Sequence, residues 1–400
     1  MPTITTIEDL RRLAEWRVPR VFYDYADSGS WTEQTYRENT SIFEQIRLRQ
    51  RVAVNMEGRS TKTKMVGEDV SMPVAIAPTG LTGMQHADGE ILAAQAAEKF
   101  GVPFTLSTMS ICSIEDVAAA TSKPFWFQLY VMRDREFAGD LIDRAKAAGC
   151  TALVLTLDLQ VIGQRHKDIK NGLGAPPKLT VANIINMATK PRWCWGMLQT
   201  HRRTFRNIVG HAKGVDDMGS LADWTHEQFD QSLTWDDIDW IRKRWDGTFI
   251  IKGVLDAEDA RIAADKGADA IIVSNHGGRQ LDGALTSLHV LPEIVAAVGD
   301  RVEVHFDGGI RSGQDVLKAV AMGAKGTYIG RAFLYGLGAM GKAGVTAALE
   351  VIHKELDTTM ALCGRTDIHD LNHDNLLFPH QIPAPFGPAQ WDTGERMAAE

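Results

Sequence analysis

Cysteine is scarce in this chain of 400 residues: Cys112, Cys150, Cys194 and Cys363 are the whole complement, and no two are spaced C-x-x-C. That excludes a disulfide framework and a thiol-based metal knuckle, and no metal site is expected. No run approaches the ~18 consecutive apolar residues of a membrane span. The start, MPTITTIEDLRRLAEW, lacks the basic-then-apolar pattern of a secretory leader, so a reducing, cytoplasmic setting is expected. An excess of cations is also missing. The formal net charge is -8, which argues against nucleic acid as a partner. One shortage is local. Residues 169–215 contain no Asp or Glu at all, in a chain that is otherwise acidic.

Apolar residues make up 44% of the chain, enough for a large core. They are arranged in eight short β-rich runs: VAIAP (74–78), PFTLS (103–107), PFWFQLY (124–130), ALVLTLD (152–158), FIIKGV (249–254), AIIVSN (270–275), VEVHFDG (302–308) and GTYIGR (326–331). Stretches with apolar residues at helical spacing follow them, such as GEILAAQAAEKFG (89–101) and SGQDVLKAVAMGA (312–324). Strands alternating with helices imply parallel pairing, because each crossover returns the chain to the same end. Eight units predict a (β/α)8 barrel; a doubly wound sheet is the other arrangement the pattern allows. Residues 1–70 then form an N-terminal cap, 71–364 the barrel, and 365–400 an extended tail rich in Pro and His that reaches for a neighbouring subunit. The strand spacing breaks once, between the fourth and fifth runs, where residues 160–232 form an insertion far longer than an ordinary loop.

The carboxyl ends of the eight runs carry Thr79, Ser107, Gln128 with Tyr130, Thr156 with Asp158, Lys252, Ser274 with His276, Asp307, and Gly330 with Arg331. In a parallel barrel these ends share one face, where active sites are built. A single polar strand end is as well explained by a cap or loop hydrogen bond. Eight in a row are not. DGGIRSG (307–313) and IGR (329–331) join glycine-rich turns to arginines, the composition of an anion cradle. GLGAMG (336–341) also fits G-x-G-x-x-G, but it does not sit between a strand and a helix of a βαβ unit, so it is a weak dinucleotide signal.

The loop SNHGGRQLDG (274–283) is the sharpest feature. His276 is the candidate general base, since imidazole titrates near neutrality. Asp158, across the same mouth, could orient the ring and stabilise its protonated form. Arg279 offers a rigid fork for a carboxylate, and Arg165 a second. With two tyrosine phenols, this set points to a small carboxylic acid carrying a hydroxyl.

These residues resemble the FMN-dependent α-hydroxy acid oxidases and dehydrogenases. SNHGGRQLDG is similar to that family's signature, and the likeness extends through YDYADSG (23–29), APTG (77–80), TLS, FQLY, LTLD, IKGV, DGGIRSG and IGRAFLYG (329–336), weakening in the insertion and tail. The bacterial L-lactate dehydrogenase branch is the nearest in pattern, with glycolate oxidase and mandelate dehydrogenase alongside. The resemblance implies His276 as base with Asp158 as its partner. It implies Arg279, Arg165 and Tyr25 on the substrate carboxylate, and Tyr130 on the hydroxyl. Pro78, Thr79, Gly80, Ser107, Gln128, Thr156, Lys252 and Ser274 would line the flavin. Asp307 would hold the ribityl chain, and Gly308, Gly309, Arg311, Gly330 and Arg331 the phosphate. Lys252 suits the pyrimidine end, where reduced flavin develops negative charge. Met109 stands where glycolate oxidase has tryptophan against the substrate side chain, and Gly80 where many oxidases have alanine.

The resemblance also implies a homo-oligomer, often a tetramer. Its expected reaction is oxidation of an L-2-hydroxy acid, foremost L-lactate, with electrons passed to a quinone or other carrier. An oxidase delivering them to oxygen is the alternative, and a non-redox phosphate-binding isomerase or lyase the remote one. Whether His276 takes the hydroxyl proton or the α-proton stays open. In residues 169–215, Lys170, Lys178, Lys190, Arg192, Arg202, Arg203, Arg206 and Lys213 interleave with Ile184, Ile185, Met187, Trp193, Trp195, Met197, Leu198 and Phe205. That composition reads as a segment lying on an anionic membrane, peripheral on the inner face. The bland reading is a basic face packed on acidic subunits, or a lid.

Overall fold

A computed structural model describes residues 3–173, 180–212, 214–215 and 230–381. Eight strands lie at the positions the apolar runs mark: β1 (Val74–Ile76), β2 (Thr105–Ser107), β3 (Trp126–Tyr130), β4 (Ala152–Thr156), β5 (Thr248–Val254), β6 (Ala270–Val273), β7 (Glu303–Asp307) and β8 (Gly326–Ile329). All neighbouring strands pair in parallel, in the order β1-β8-β7-β6-β5-β4-β3-β2. A parallel bridge between Ile76 and Phe104 joins the two ends, with the Ile76 amide donating to the Pro103 carbonyl at 2.8 Å. Closure settles the sheet as a (β/α)8 barrel and removes the doubly wound alternative.

Polar residues at the turns start the helices. Ser113 and Ser312 each form a capping box with an Asp three residues on, opening Ile114–Ala120 and Gly313–Ala321. Asp134, Asp256 and Thr286 cap Arg135–Ala147, Ala257–Asp265 and Ser287–Val298 with a single side-chain acceptor each, for the amides of Phe137, Glu258 and His289. Helices pack on the outside of the sheet, and the barrel interior is a separate core of Ala75, Ala77, Trp126, Val154, Ile250, Ile272 and Tyr328. Small residues opposite Trp126 and Tyr328 let the two large rings share a narrow interior.

The bottom of the barrel is stoppered by a hairpin, Thr63–Met65 against Glu68–Val70, whose turn residues Val66 and Gly67 have φ of 43° and 84°. Glu303 accepts from the Val66 amide at 2.9 Å, and Glu68 accepts from Trp126 Nε1 at 3.0 Å. The open end faces the cap helices Arg20–Ala26 and Gln34–Gln45. GLGAMG is not a dinucleotide turn. It lies in and just after the helix Arg331–Met340, and a Cβ on Gly336 would sit 2.3 Å from the Gly344 carbonyl oxygen. Its glycines serve close helix packing.

Glu90 ties two of the loops on the open face together. Fully buried, it accepts from the amides of Gly83 (2.9 Å) and Ile111 (2.8 Å), in the loops after β1 and β2. Burial pushes its carboxyl up, and those amides pull against the shift. Glu90→Leu strips both donors of their acceptor and should cost about 3 kcal/mol, read as a lowered urea midpoint at unchanged m-value; a midpoint equal to the parent's removes Glu90 from this role.

Candidate active site

The carboxyl ends of the eight strands open into one cavity of about 700 Å³. Within hydrogen-bonding reach of each other at its edge are His276 Nδ1 and Asp158 Oδ1, 2.9 Å apart. His276 has φ of 56°, a left-handed backbone conformation that costs a non-glycine residue on the order of 1–3 kcal/mol. The surroundings hold it there: its amide donates to Ser274 Oγ at 3.1 Å, and Asp158 takes its ring. Gly253 makes room for that acid, since a Cβ on it would lie 2.7 Å from Asp158 Cγ. Burial lowers the imidazole's pKa below its ordinary value; Asp158 opposes the shift, and Lys252 and Arg165 reinforce it. The ring is therefore neutral at pH 7, with a basic Nε2 available, while Asp158 stays ionised.

Arg279 reaches the same space from the loop after β6. Its Nη1 donates to the carbonyls of Tyr25 and Ser28, and its guanidinium lies 4.6 Å from the centre of the Tyr25 ring. Its Nη2 is buried with no protein partner, and so is Arg165 Nε. Burial, with Arg165 nearby, pushes Arg279 down to about 10, still charged at neutral pH. Two buried guanidiniums with unused donors have the chemistry to seat a carboxylate. Gln280 brings them together: its side chain donates to the carbonyls of Asp158 (2.6 Å) and Val161 (2.8 Å), pinning the start of the insertion to the His276 loop. Asp168, buried on the short helix His166–Lys170, has Oδ2 3.8 Å from Arg165 Nη1. Burial holds its carboxyl above the ordinary range. Tyr130 lies beside the pair, its phenol kept protonated by burial.

Opposite this clamp, Lys252 Nζ sits 2.6 Å from Ser274 Oγ and 2.8 Å from Asp307 Oδ2. Gln128 Oε1 accepts from Ser107 Oγ at 3.0 Å, which leaves Gln128 Nε2 buried without a partner; Thr156 Oγ1 is likewise unpartnered. Further round the rim, Gly308, Gly309, Arg311, Gly330 and Arg331 line the cavity beside Asp307. Arg331 also donates to the carbonyls of Ala26, Gly277 and Ser28 at 2.9, 3.0 and 2.7 Å, so it braces the cap against the His276 loop.

The order of groups, from unpaired amide and hydroxyl beside a buried ammonium, through a carboxylate, to glycines and arginines, matches a flat heterocycle with carbonyl edges, a polyol and a phosphate. The pattern of the family described as FMN-dependent dehydrogenase matches residues 14–377. The chain belongs to this family. Among the proteins similar to it are an L-lactate dehydrogenase of Caulobacter vibrioides (strain NA1000 / CB15N), 46% identical over 92% of this chain and 96% of that one, and an L-lactate dehydrogenase of Actinobacillus pleuropneumoniae serotype 5b (strain L20), 44% identical over 94% and 98%. Among solved structures, the monotopic membrane protein (S)-mandelate dehydrogenase is similar, with a TM-score of 0.90 and 37% identity over 94% of this chain and all of that one. FMN is therefore the cofactor, and the unpartnered donors at Gln128 and Thr156 fit its ring edge.

Every substrate-contact candidate named from the sequence, Tyr25, Met109, Tyr130, Arg165 and Arg279, lines the cavity. So do Pro78, Thr79, Gly80, Lys252, Asp307, Gly308, Gly309, Arg311, Gly330 and Arg331, whereas Ser107, Gln128, Thr156, Ser274 and Asp158 stand behind the lining. A Cβ on Gly80 would press on Met109 and on Tyr25 Oη at 3.2 Å, so this glycine keeps those two side chains in place. Sequence reasoning missed Leu81, Met84, Ile111, Leu159 and Phe205, which complete the apolar side, because loop residues without periodicity leave no pattern. Gln280 and Asp168 flank the predicted Arg279 and Arg165 and were legible only as neighbours.

A base whose pKa is lowered loses activity only on the acid side, as it becomes protonated. The acid limb of kcat/KM should therefore lie below the ordinary imidazole value of about 6.5 and be assignable to His276. Asp158→Asn removes a charge that raises His276, so the limb should move lower still while the plateau falls. A limb that stays put in Asp158→Asn would detach the titration from this pair.

Proposed function

We propose that this chain oxidises an L-2-hydroxy acid, L-lactate foremost, to the 2-oxo acid and passes the electrons to a quinone at a membrane surface. The observation that carries the chemistry is a neutral, strained His276 held 2.9 Å from Asp158, beside two arginines with unused buried donors. Membership of the family removes the non-redox barrel from contention, and the names of the relatives support lactate as the acid.

Arg279 and Arg165 hold the substrate carboxylate, with the Tyr25 ring beneath Arg279. That would bring the hydroxyl-bearing carbon within reach of His276. Tyr130, protonated, donates to the hydroxyl oxygen. His276 accepts the substrate proton on Nε2, and Asp158 stabilises the imidazolium so formed. Bound FMN supplies the two-electron acceptor. Asp307 and Ser274 keep the Lys252 ammonium in position, where its fixed positive charge would stabilise negative charge on the bound cofactor. Leu81, Met109, Leu159 and Phe205 close the site with apolar surface that favours a hydrocarbon side chain on the acid.

The membrane reading rests on two short helices of the insertion, Val181–Ala188 and Pro191–Gln199. Val181, Ile184, Ile185, Trp195 and Leu198 are all more than half exposed, as is Trp16 of the cap, whose carbonyl accepts from Lys190. A monomer in water rarely leaves so much apolar surface bare. The likeness to a monotopic membrane dehydrogenase supports the same reading. No helix among the described residues is long and apolar enough to cross a membrane.

The basic residues contribute less than their number implies. Arg202 and Arg206 turn inward onto Asp116, at 3.0 and 2.8 Å, and Arg202 also meets Asp88. Arg203 donates to the carbonyls of Thr200 and Leu198. Lys178 and Lys213 lie outside the described residues, as does the tail from residue 382. The acid-free stretch thus lends Arg202 and Arg206 to the barrel's own acids, and several apolar side chains to the surface. We read the whole chain as one catalytic unit that assembles as a homo-oligomer, a tetramer, testable by light scattering.

L-Lactate added without oxygen should bleach the yellow holoenzyme, D-lactate should not, and His276→Gln should keep its flavin while reduction slows by at least ~10²–10⁴. An unbleached parent with every L-2-hydroxy acid tried ends the reading. Stoichiometric hydrogen peroxide in air would instead mark the oxidase. Separately, the protein should float with anionic liposomes. Replacing Ile184, Ile185, Trp195 and Leu198 with Ser should abolish flotation and slow reduction of a membrane quinone, with lactate bleaching preserved. Equal flotation of parent and variant would clear these helices of the role.

A further inference from the structure

The motif YDYADSG contains an acid, Asp27, that the substrate clamp does not use. Its carboxylate is nearly buried, and three tyrosines converge on it. Tyr36 and Tyr335 each donate a hydroxyl to Oδ1 at 2.6 Å, and Tyr23 donates to Oδ2 at 2.9 Å. These donors and Arg331 hold Asp27 below the ordinary carboxylate range despite its burial. The anion is therefore permanent at neutral pH, with Arg11 3.6 Å away on the outer side.

Two of the tyrosines have a second task. The Arg331 guanidinium lies 4.5 Å from the centre of the Tyr36 ring, and the Arg311 guanidinium 5.6 Å from that of Tyr335. These arginines line the end of the cavity that also holds Gly308, Gly309 and Gly330. The two tyrosines come from different elements, Gln34–Gln45 and Arg331–Met340, and both donate to Asp27 Oδ1. A hydroxyl donating to an anion fixes the rotation of its ring and enriches the ring face, which strengthens its hold on a cation. The backbone repeats the connection, since Arg331 donates to the carbonyls of Ala26 and Ser28 on either side of Asp27.

We propose that Asp27 is a positioning residue of the cofactor-phosphate cradle, setting Arg311 and Arg331 together through the rings of Tyr335 and Tyr36. This rests on the reading that these arginines receive the phosphate of FMN. It adds that one nearly buried carboxylate, in the cap and behind the cavity lining, governs how well that phosphate is held.

FMN and riboflavin differ by the phosphate alone, so the ratio of their affinities isolates the cradle. The full-length apoprotein, titrated with each by quenching of flavin fluorescence, should prefer FMN strongly. Asp27→Asn should weaken FMN by at least about tenfold, the scale of a lost hydrogen bond to a charged group, and leave riboflavin within about threefold. Tyr36→Phe with Tyr335→Phe keeps both rings and their volume, so it serves where Asp27→Asn does not fold, and should lower the FMN-to-riboflavin ratio in the same direction. Inorganic phosphate should tighten riboflavin binding to the parent by filling the cradle, and do so less in either variant. If the parent binds riboflavin as tightly as FMN, the phosphate assignment itself fails. If the parent prefers FMN and both variants keep its ratio, or lose both ligands alike, Asp27 is a structural anchor and the inference is overturned.

Discussion

A closed parallel sheet allows only one place for chemistry. Every crossover returns the chain to the same end, so all eight carboxyl ends stand on one rim once the Ile76 amide has met the Pro103 carbonyl. The opposite end is stoppered by the Thr63–Val70 hairpin, held by Glu303 and Glu68. One inward row of β7 shows the gradient along the axis. Glu303 latches the stopper, His305 is wholly buried between Glu303 and Tyr328, and Asp307 meets Lys252 at the open mouth.

On that rim, position is enforced mainly by backbone acceptors. Arg279 and Arg331 spend part of their donors on carbonyls of residues 25–28 and 277, and Gly278 gives its carbonyl to the Ser30 amide. The cap and the His276 loop are thereby bonded across more than two hundred residues of sequence. His276 can occupy its left-handed conformation because neighbours on three elements over-determine it: Ser274, Asp158, and Gly253 yielding space behind Asp158. The guanidinium atoms left without a protein partner, Arg279 Nη2 and Arg165 Nε, are buried ones, on two arginines that line the cavity. Cationic donors that are desolvated and unpaired in this way are where electrostatic binding of an anion is strongest.

The insertion illustrates how charge composition and charge placement diverge. Its lack of acids is plain in the sequence, and taken alone it describes a cationic surface. In the folded chain Asp88 and Asp116 of the barrel receive Arg202 and Arg206, so part of that charge is neutralised internally. The apolar residues of Val181–Ala188 and Pro191–Gln199 remain outside, while Trp193 stacks on Phe22 at 5.5 Å and donates to the Met84 carbonyl. Trp193 thereby rests on two residues that line the cavity, while the other side of these helices offers hydrocarbon.

The sequence by itself determined the strands, their parallel pairing and the polar residues at their ends, because burial on both faces demands short unbroken apolar runs and parallel return demands helices between them. It also marked His276, Arg279, Asp158 and Lys252, since an imidazole, a guanidinium, a carboxylate and an ammonium directly after buried strands have no packing reason to be there. Only the tertiary structure decided that the sheet closes, because closure is a single hydrogen-bonded bridge that leaves no periodic trace. It alone paired Gln280 with Asp158, turned Arg202 and Arg206 inward, and gathered Tyr23, Tyr36 and Tyr335 around Asp27. Those contacts join residues far apart in the chain through side-chain direction, which pattern along a sequence does not encode.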